Sequence, residues 1–351
     1  MTKSYKTPVL YRNYCTRYTP NWKTQYTAVL TNVDRFDNWQ RGVDFKVGYI
    51  DSAHHLPRKE KAKLPVIIGV HDCPGSHRDI HSLLEPYAEQ GYRVVLPNLP
   101  SFGETTFLDG SPQEHFQHST VEQAEFLLQF LSVIHVTETS LLVGHGVGTL
   151  PLTVIASKSP TGTIKGAVFV CPVPGDKPRK GVYMLLHAIG NWWYAGKIKR
   201  LLLTLIVKRR ITAILNKTTN TTNSAEAFAA LIQTAHNTGY DFLPGIALEM
   251  TMKRVPLLYV IAEGDDSIRG KDSLNYAQKF DLDQAKFDKY DSDMNLINKA
   301  VVSPLRYSKG IRFEGADHNL QMIPQYREII QREIDLMLDN DEEKQENKAK
   351  Q

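Results

Sequence analysis

The chain has 351 residues, 42% of them hydrophobic, and a formal charge of +4. That much apolar material supports a large core and excludes a chain that is disordered throughout. Its three cysteines, Cys15, Cys73 and Cys171, have no paired spacing. This argues against a disulfide framework or a structural zinc site and points to a reducing compartment, the cytoplasm in the simplest case.

Residues 1–33 hold five basic residues and no acid. That composition suits either an irregular N-terminal arm, taken here as 1–25, or a mitochondrial targeting segment. From there apolar runs alternate with helical patterns to about residue 338, as in a mostly parallel sheet with crossover helices. Tyr26–Val33 and Val43–Ile50 alternate and predict a hairpin. Leu64–Val70, Tyr92–Leu96, Ser140–Val143, Ile164–Val170, Pro256–Ile261 and Tyr307–Phe313 are short runs of the kind expected for buried strands. Arg78–Gln90, closed by Gly91, reads as a helix, as do Gln113–His135, Thr149–Ser157 and Gln325–Leu338. The polar tail 339–351 is expected to be disordered. No apolar run reaches the roughly eighteen residues of a membrane-spanning helix.

Two stretches interrupt the alternation. Asp281–Pro304 is a polar insertion. Residues 175–250 read as a helical lid, placed after a strand's carboxyl end, where α/β sheets bind ligands. Residues 177–225 carry ten Lys and Arg and no Asp or Glu. Within 197–210 the basic residues and the leucines fall on largely opposite helix faces, just after Trp192, Trp193 and Tyr194. This pattern suits either a lid packed on the sheet or peripheral contact with an anionic membrane. No nucleic-acid motif frames the charges.

Four motifs lie at strand ends. Gly69-Val70-His71-Asp72-Cys73-Pro74-Gly75 resembles the oxyanion loop of the α/β-hydrolases, with Asp72 in place of a glycine. Pro97-Asn98-Leu99-Pro100-Ser101-Phe102-Gly103 resembles the next loop of that fold, with Ser101 in place of a glycine. Val143-Gly144-His145-Gly146-Val147-Gly148 resembles the nucleophile elbow. Gly315-Ala316-Asp317-His318 resembles the segment that carries the catalytic histidine.

The chain is therefore identified as a member of the α/β-hydrolase superfamily: a doubly faced, mostly parallel sheet with a helical lid. It looks most like a little-characterised animal family whose elbow is usually Gly-His-Ser-x-Gly. The resemblance implies a site built from the elbow centre Gly146, an acid, His318, and an oxyanion loop of His71, Asp72 and Cys73 with the Val147 N–H. For the acid, Asp266 fits best, with Asp265 beside it and Asp176 as an outside alternative. Gly146 bears no nucleophilic group, and Asp72 would repel an oxyanion. Cys73 is the obvious substitute nucleophile, although its side chain need not face His318. His71, His77 and His81 match no zinc spacing. No metal or cofactor is expected.

Two functions remain open. One is a pseudoenzyme that binds a small apolar or acyl ligand or a protein partner. The other is an ester or lipid hydrolase that uses a non-serine nucleophile or a His318-activated water.

Overall fold

The computed structural model describes residues 18–31, 42–108, 116–175, 224–301 and 307–349, together with single helical positions between 184 and 205. The expected Asp176, most of the N-terminal arm and most of 176–223 lie outside the described residues.

The strands are β1 Gln25–Leu30, β2 Asp44–Asp51, β3 Val66–Val70, β4 Arg93–Pro97, β5 Thr106–Phe107, β6 Leu141–His145, β7 Ala167–Val170, β8 Leu257–Ala262, β9 Phe287–Tyr290, β10 Leu296–Asn298 and β11 Ser308–Phe313. They form one sheet in the order β1-β2-β4-β3-β6-β7-β8-β11-β9-β10, with β5 against β2. From β4 to β9 every pairing is parallel. β1 and β2 are the antiparallel hairpin, and β9 with β10 turns the polar insertion into a second antiparallel edge. Every residue of β3, β4, β6, β7 and β8 is buried. This is why each reads as a continuous apolar run: a parallel strand covered on both faces has no wet side to alternate with.

Helices cover both faces. Ile80, Leu83 and Leu84 of one helix (Arg78–Glu89) and Ile330 and Ile334 of the C-terminal helix (Pro324–Ala349) share one core cluster. The other face is covered by helices Thr120–Val133, Thr149–Lys158, Leu243–Met252 and Gly270–Ala277, through Phe126, Phe130, Leu152, Met250 and Tyr276. Helix Leu243–Met252 packs against Thr149–Lys158. The C-terminal end of the expected lid is therefore a crossover helix of the core.

Two expectations are corrected. The helix expected from residue 113 starts at Thr120, because Ser119 and Glu122 form a reciprocal capping box. The tail expected to be disordered continues the last helix to Ala349. Its Glu, Lys and Gln residues are good helix formers.

Neighbouring strands put four loops together. Val70 at the end of β3 pairs with Gly144 of β6, and Ala262 at the end of β8 pairs with Phe313 of β11. The loops that follow are the ones singled out in the sequence.

Candidate active site

The elbow is a tight strand-to-helix turn. Gly146 begins a single 3₁₀ turn, Gly146–Gly148, that runs into helix Thr149–Lys158. Its φ is +53°, a conformation that suits glycine. Gly148 is needed for a different reason: a Cβ there would lie 2.4 Å from the His71 carbonyl oxygen, so the turn and the β3 loop can approach only without a side chain. The Thr149 hydroxyl fixes the turn by donating to the Gly146 carbonyl at 2.7 Å.

The space beyond Gly146 is filled. A Cβ on residue 146 would lie 2.1 Å from Asp72 Oδ1 and 2.2 Å from Asp72 Cγ. The carboxylate of Asp72, reaching across from the β3 loop, thus occupies the volume into which an elbow side chain would project. Its Oδ1 accepts the Val147 N–H at 2.6 Å, the donor expected to serve an oxyanion. Its Oδ2 accepts from His318 Nε2 at 3.0 Å.

His318 completes the chain of contacts, its Nδ1 donating to Asp265 Oδ2 at 2.5 Å. The carboxylate that meets His318 is therefore Asp265 and not the preferred Asp266, which is exposed. Adjacent turn residues point in different directions. Asp265 is held inward because its Oδ1 accepts the N–H groups of Ser267 and Ile268 at 2.7 and 2.9 Å.

Burial disfavours the imidazolium, but the hydrogen bonds and charges of Asp265 and Asp72 outweigh it and raise the His318 pKa to about 10. Burial likewise works against the Asp72 and Asp265 carboxylates, and the His318 contacts overcome it and lower both. The result is a carboxylate–imidazolium–carboxylate row, charged at neutral pH. It is not sealed: the Asp72 and His318 side chains keep 17% and 13% of their exposure.

The other expected residues have structural jobs. His71 is fully buried, and burial lowers its pKa to about 4. Its Nδ1 donates to the Asp72 carbonyl at 2.6 Å, and its Nε2 accepts the Leu99 N–H at 2.9 Å, which ties the two glycine-substituted loops together. Cys73 is buried, and burial drives its thiol pKa well up, which works against a thiolate there. His145 is also lowered to about 4 by burial, then by the charge of His318. Its Nε2 donates to the His318 carbonyl at 3.0 Å, and Gln321 donates to its Nδ1 at 3.2 Å. His145 thereby positions the histidine loop, a role its place beside the elbow centre did not disclose. Among the described residues Cys171 adds a further ligand-type group, its sulfur lying within 4.8 Å of the Asp265 and His318 ligand atoms. Both imidazole nitrogens are already bonded to carboxylates, and burial keeps the Cys171 thiol protonated.

Two cavities, of about 460 and 350 Å³, open at the opposite end of the sheet around Thr139 and touch neither Asp72 nor His318.

The sequence profile of the family described as α/β hydrolase of unknown function (DUF1057) matches residues 29–320. The chain belongs to this family. No curated protein sequence matches it. Among solved structures, a haloalkane dehalogenase from Bradyrhizobium elkani superposes with a TM-score of 0.59 at 12% identity, covering 92% of this chain and 99% of that one. A thermophilic esterase from Thermogutta terrifontis gives 0.55 at 13% identity, covering 90% and 99%. An epoxide hydrolase from hot-environment metagenomes gives 0.56 at 14% identity, also covering 90% and 99%. At such identities these likenesses establish the α/β-hydrolase fold that the family shares.

Proposed function

We propose that this chain is a non-catalytic α/β-hydrolase-fold protein that binds at the former reaction centre rather than turning substrate over. The observation that carries this reading is the Asp72 carboxylate in the elbow side-chain volume, bonded to both Val147 N–H and His318. Acyl transfer needs a nucleophile, a neutral base beside it and free donors for the oxyanion. Residue 146 supplies no nucleophile. His318, with its pKa raised to about 10, holds its proton at neutral pH and cannot accept another. The Val147 donor is taken by a carboxylate whose charge opposes an oxyanion. The same protonation works against a His318-activated water.

Two carboxylates and one imidazolium leave a net charge of −1 at the strand ends. This disfavours a free fatty acid and favours a neutral apolar or acyl ligand, or the surface of a protein partner.

The test is labelling by a fluorophosphonate, with turnover of short and long acyl esters measured alongside. The unmodified protein and G146S should stay unlabelled, the latter because its new side chain meets Asp72. The double variant D72G/G146S, which clears the volume and frees the Val147 N–H, should label. Covalent labelling of the unmodified protein, or ester turnover abolished by His318→Ala, would overturn the proposal.

A second reading draws on the same carboxylate, since aspartate itself can be a covalent nucleophile. Structural neighbours named as a haloalkane dehalogenase and an epoxide hydrolase lend it support. Asp72 Oδ2 would attack the carbon of a carbon–halogen bond, forming an ester and expelling halide. Esterification would remove one of the two anions that hold the proton on His318. The imidazole would then lose that proton to solvent and take one from water, and that water would cleave the ester to the alcohol and restore the carboxylate. Single turnover in ¹⁸O water, with mass analysis of the Asp72 peptide, separates the readings. Isotope in the Asp72 carboxylate, with halide release, supports catalysis; its absence with a panel of haloalkanes leaves the binding reading standing.

A further inference from the structure

The described positions between 184 and 205 present an apolar surface outward. Met184, Ala188 and Trp192 are helical positions spaced four apart, and all three are exposed. Ile198, Leu201, Leu202 and Leu205 follow the i, i+3, i+4, i+7 spacing of one helix face. Their exposures of 77%, 61%, 47% and 62% are the reverse of what a lid packed on the sheet requires. Lys199 is exposed beside them. This face sits in the 177–225 stretch, with its ten basic residues and no acidic one. Among the described residues no helix is long and apolar enough to cross a membrane.

We propose that the segment around 184–205 docks on an anionic lipid surface. The Trp192, Ile198, Leu201 and Leu205 side chains enter the boundary between headgroups and acyl chains, with Lys199 exposed beside them and the ten basic residues of 177–225 supplying the attraction to the headgroups. A helix with an apolar face and a cationic remainder suits that interface. Charge selects the occupant. A second copy would bring the same cationic stretch against itself, and a nucleic acid would leave the apolar face uncovered. A bilayer rich in acidic lipid matches both. This surface is separate from the Asp72–His318 centre, and the proposal stands or falls independently of what happens there.

The experiment is sedimentation of the full chain with phosphatidylcholine vesicles, with and without about one-third phosphatidylserine. It is run at about 0.05 M and about 0.5 M salt, because screening removes the headgroup attraction. The expected result is binding to the acidic vesicles at low salt, weakened at least roughly tenfold by high salt or by omitting phosphatidylserine. L201E/L205E, which alters only side chains already in water, should reduce binding by a similar factor with an unchanged circular-dichroism melt. Any of these results overturns the proposal: no binding to acidic vesicles at low salt, binding indifferent to both salt and lipid charge, or a folded L201E/L205E that binds like the unmodified chain. A concentration-dependent dimer that ignores vesicles also overturns it and assigns the face to a second copy. The salt and lipid arms decide the matter even if L201E/L205E fails to fold.

Discussion

The carboxylate of Asp72 lies 2.1 Å from the point where a Cβ on residue 146 would stand, and residue 146 is a glycine at φ +53°. The two positions compete for one volume although they lie on different strand ends. G146S should therefore lower stability by about 2–5 kcal/mol, from the left-handed backbone and the overpacking together. D72G/G146S should recover the packing part. Urea unfolding of both single variants and the double variant closes a cycle, and a coupling energy near zero would show that the positions do not share space.

The paired carboxylates dictate how His318 titrates. Its folded pKa is raised above its unfolded value, so its contribution to stability is complete below about pH 6.5 and lost as pH rises through about 10. Asp72 and Asp265 are lowered, so theirs is present above the unfolded carboxylate range, near 4, and lost as pH falls through the folded values. Asp72→Asn takes away one anion and should move the His318 titration to lower pH, with Asp265 still holding Nδ1. Imidazole NMR titration of both proteins checks this, and an unmoved titration would mean that Asp72 does not hold the proton on His318.

Arg93, at the start of β4, donates to Asp51 from Nε at 3.0 Å and from Nη2 at 2.7 Å, and reaches the Ile134 carbonyl at 3.2 Å. Both side chains are 2% exposed. Arg93→Met leaves Asp51 buried without its partner and should cost about 3–5 kcal/mol in chemical unfolding. A loss below about 1 kcal/mol, the range of a surface pair, would contradict the burial.

Ser101, which the sequence resemblance places at a glycine position, has a φ of +66°. Its hydroxyl is buried with no hydrogen-bond partner among the described residues. Ser101→Gly removes both penalties and should raise stability by about 1 kcal/mol, or by a few degrees in thermal melting. An unchanged or lowered melting temperature would show that the loop bears no such strain.

The central strands were readable in the sequence because burial on both faces leaves uninterrupted apolar runs such as Val66–Val70 and Leu257–Ala262. The order of oxyanion loop, elbow, acid and histidine was readable because chain order alone carries it. What failed to show was direction. Nothing local distinguishes Asp265 from Asp266; the difference is made by two backbone N–H groups that turn one carboxylate inward. The destination of Asp72 was hidden more deeply, since its partner His318 is 246 positions away. Glycine replaced by aspartate reads along the chain as a damaged loop, whereas in space it is a side chain supplied to a neighbouring strand. The start at Thr120 could have been read, because Ser119 and Glu122 have the capping-box spacing.

The shared volume at positions 72 and 146 also constrains which residues can stand there together. A side chain at 146 and the carboxylate at 72 compete for the same room, so a serine-bearing elbow accommodates Asp72 only at a cost, whereas a glycine at 146 accepts it freely. With the aspartate in place, introducing a serine at 146 by a single change meets an occupied volume. A chain with glycine at both positions would leave that volume open to either side chain.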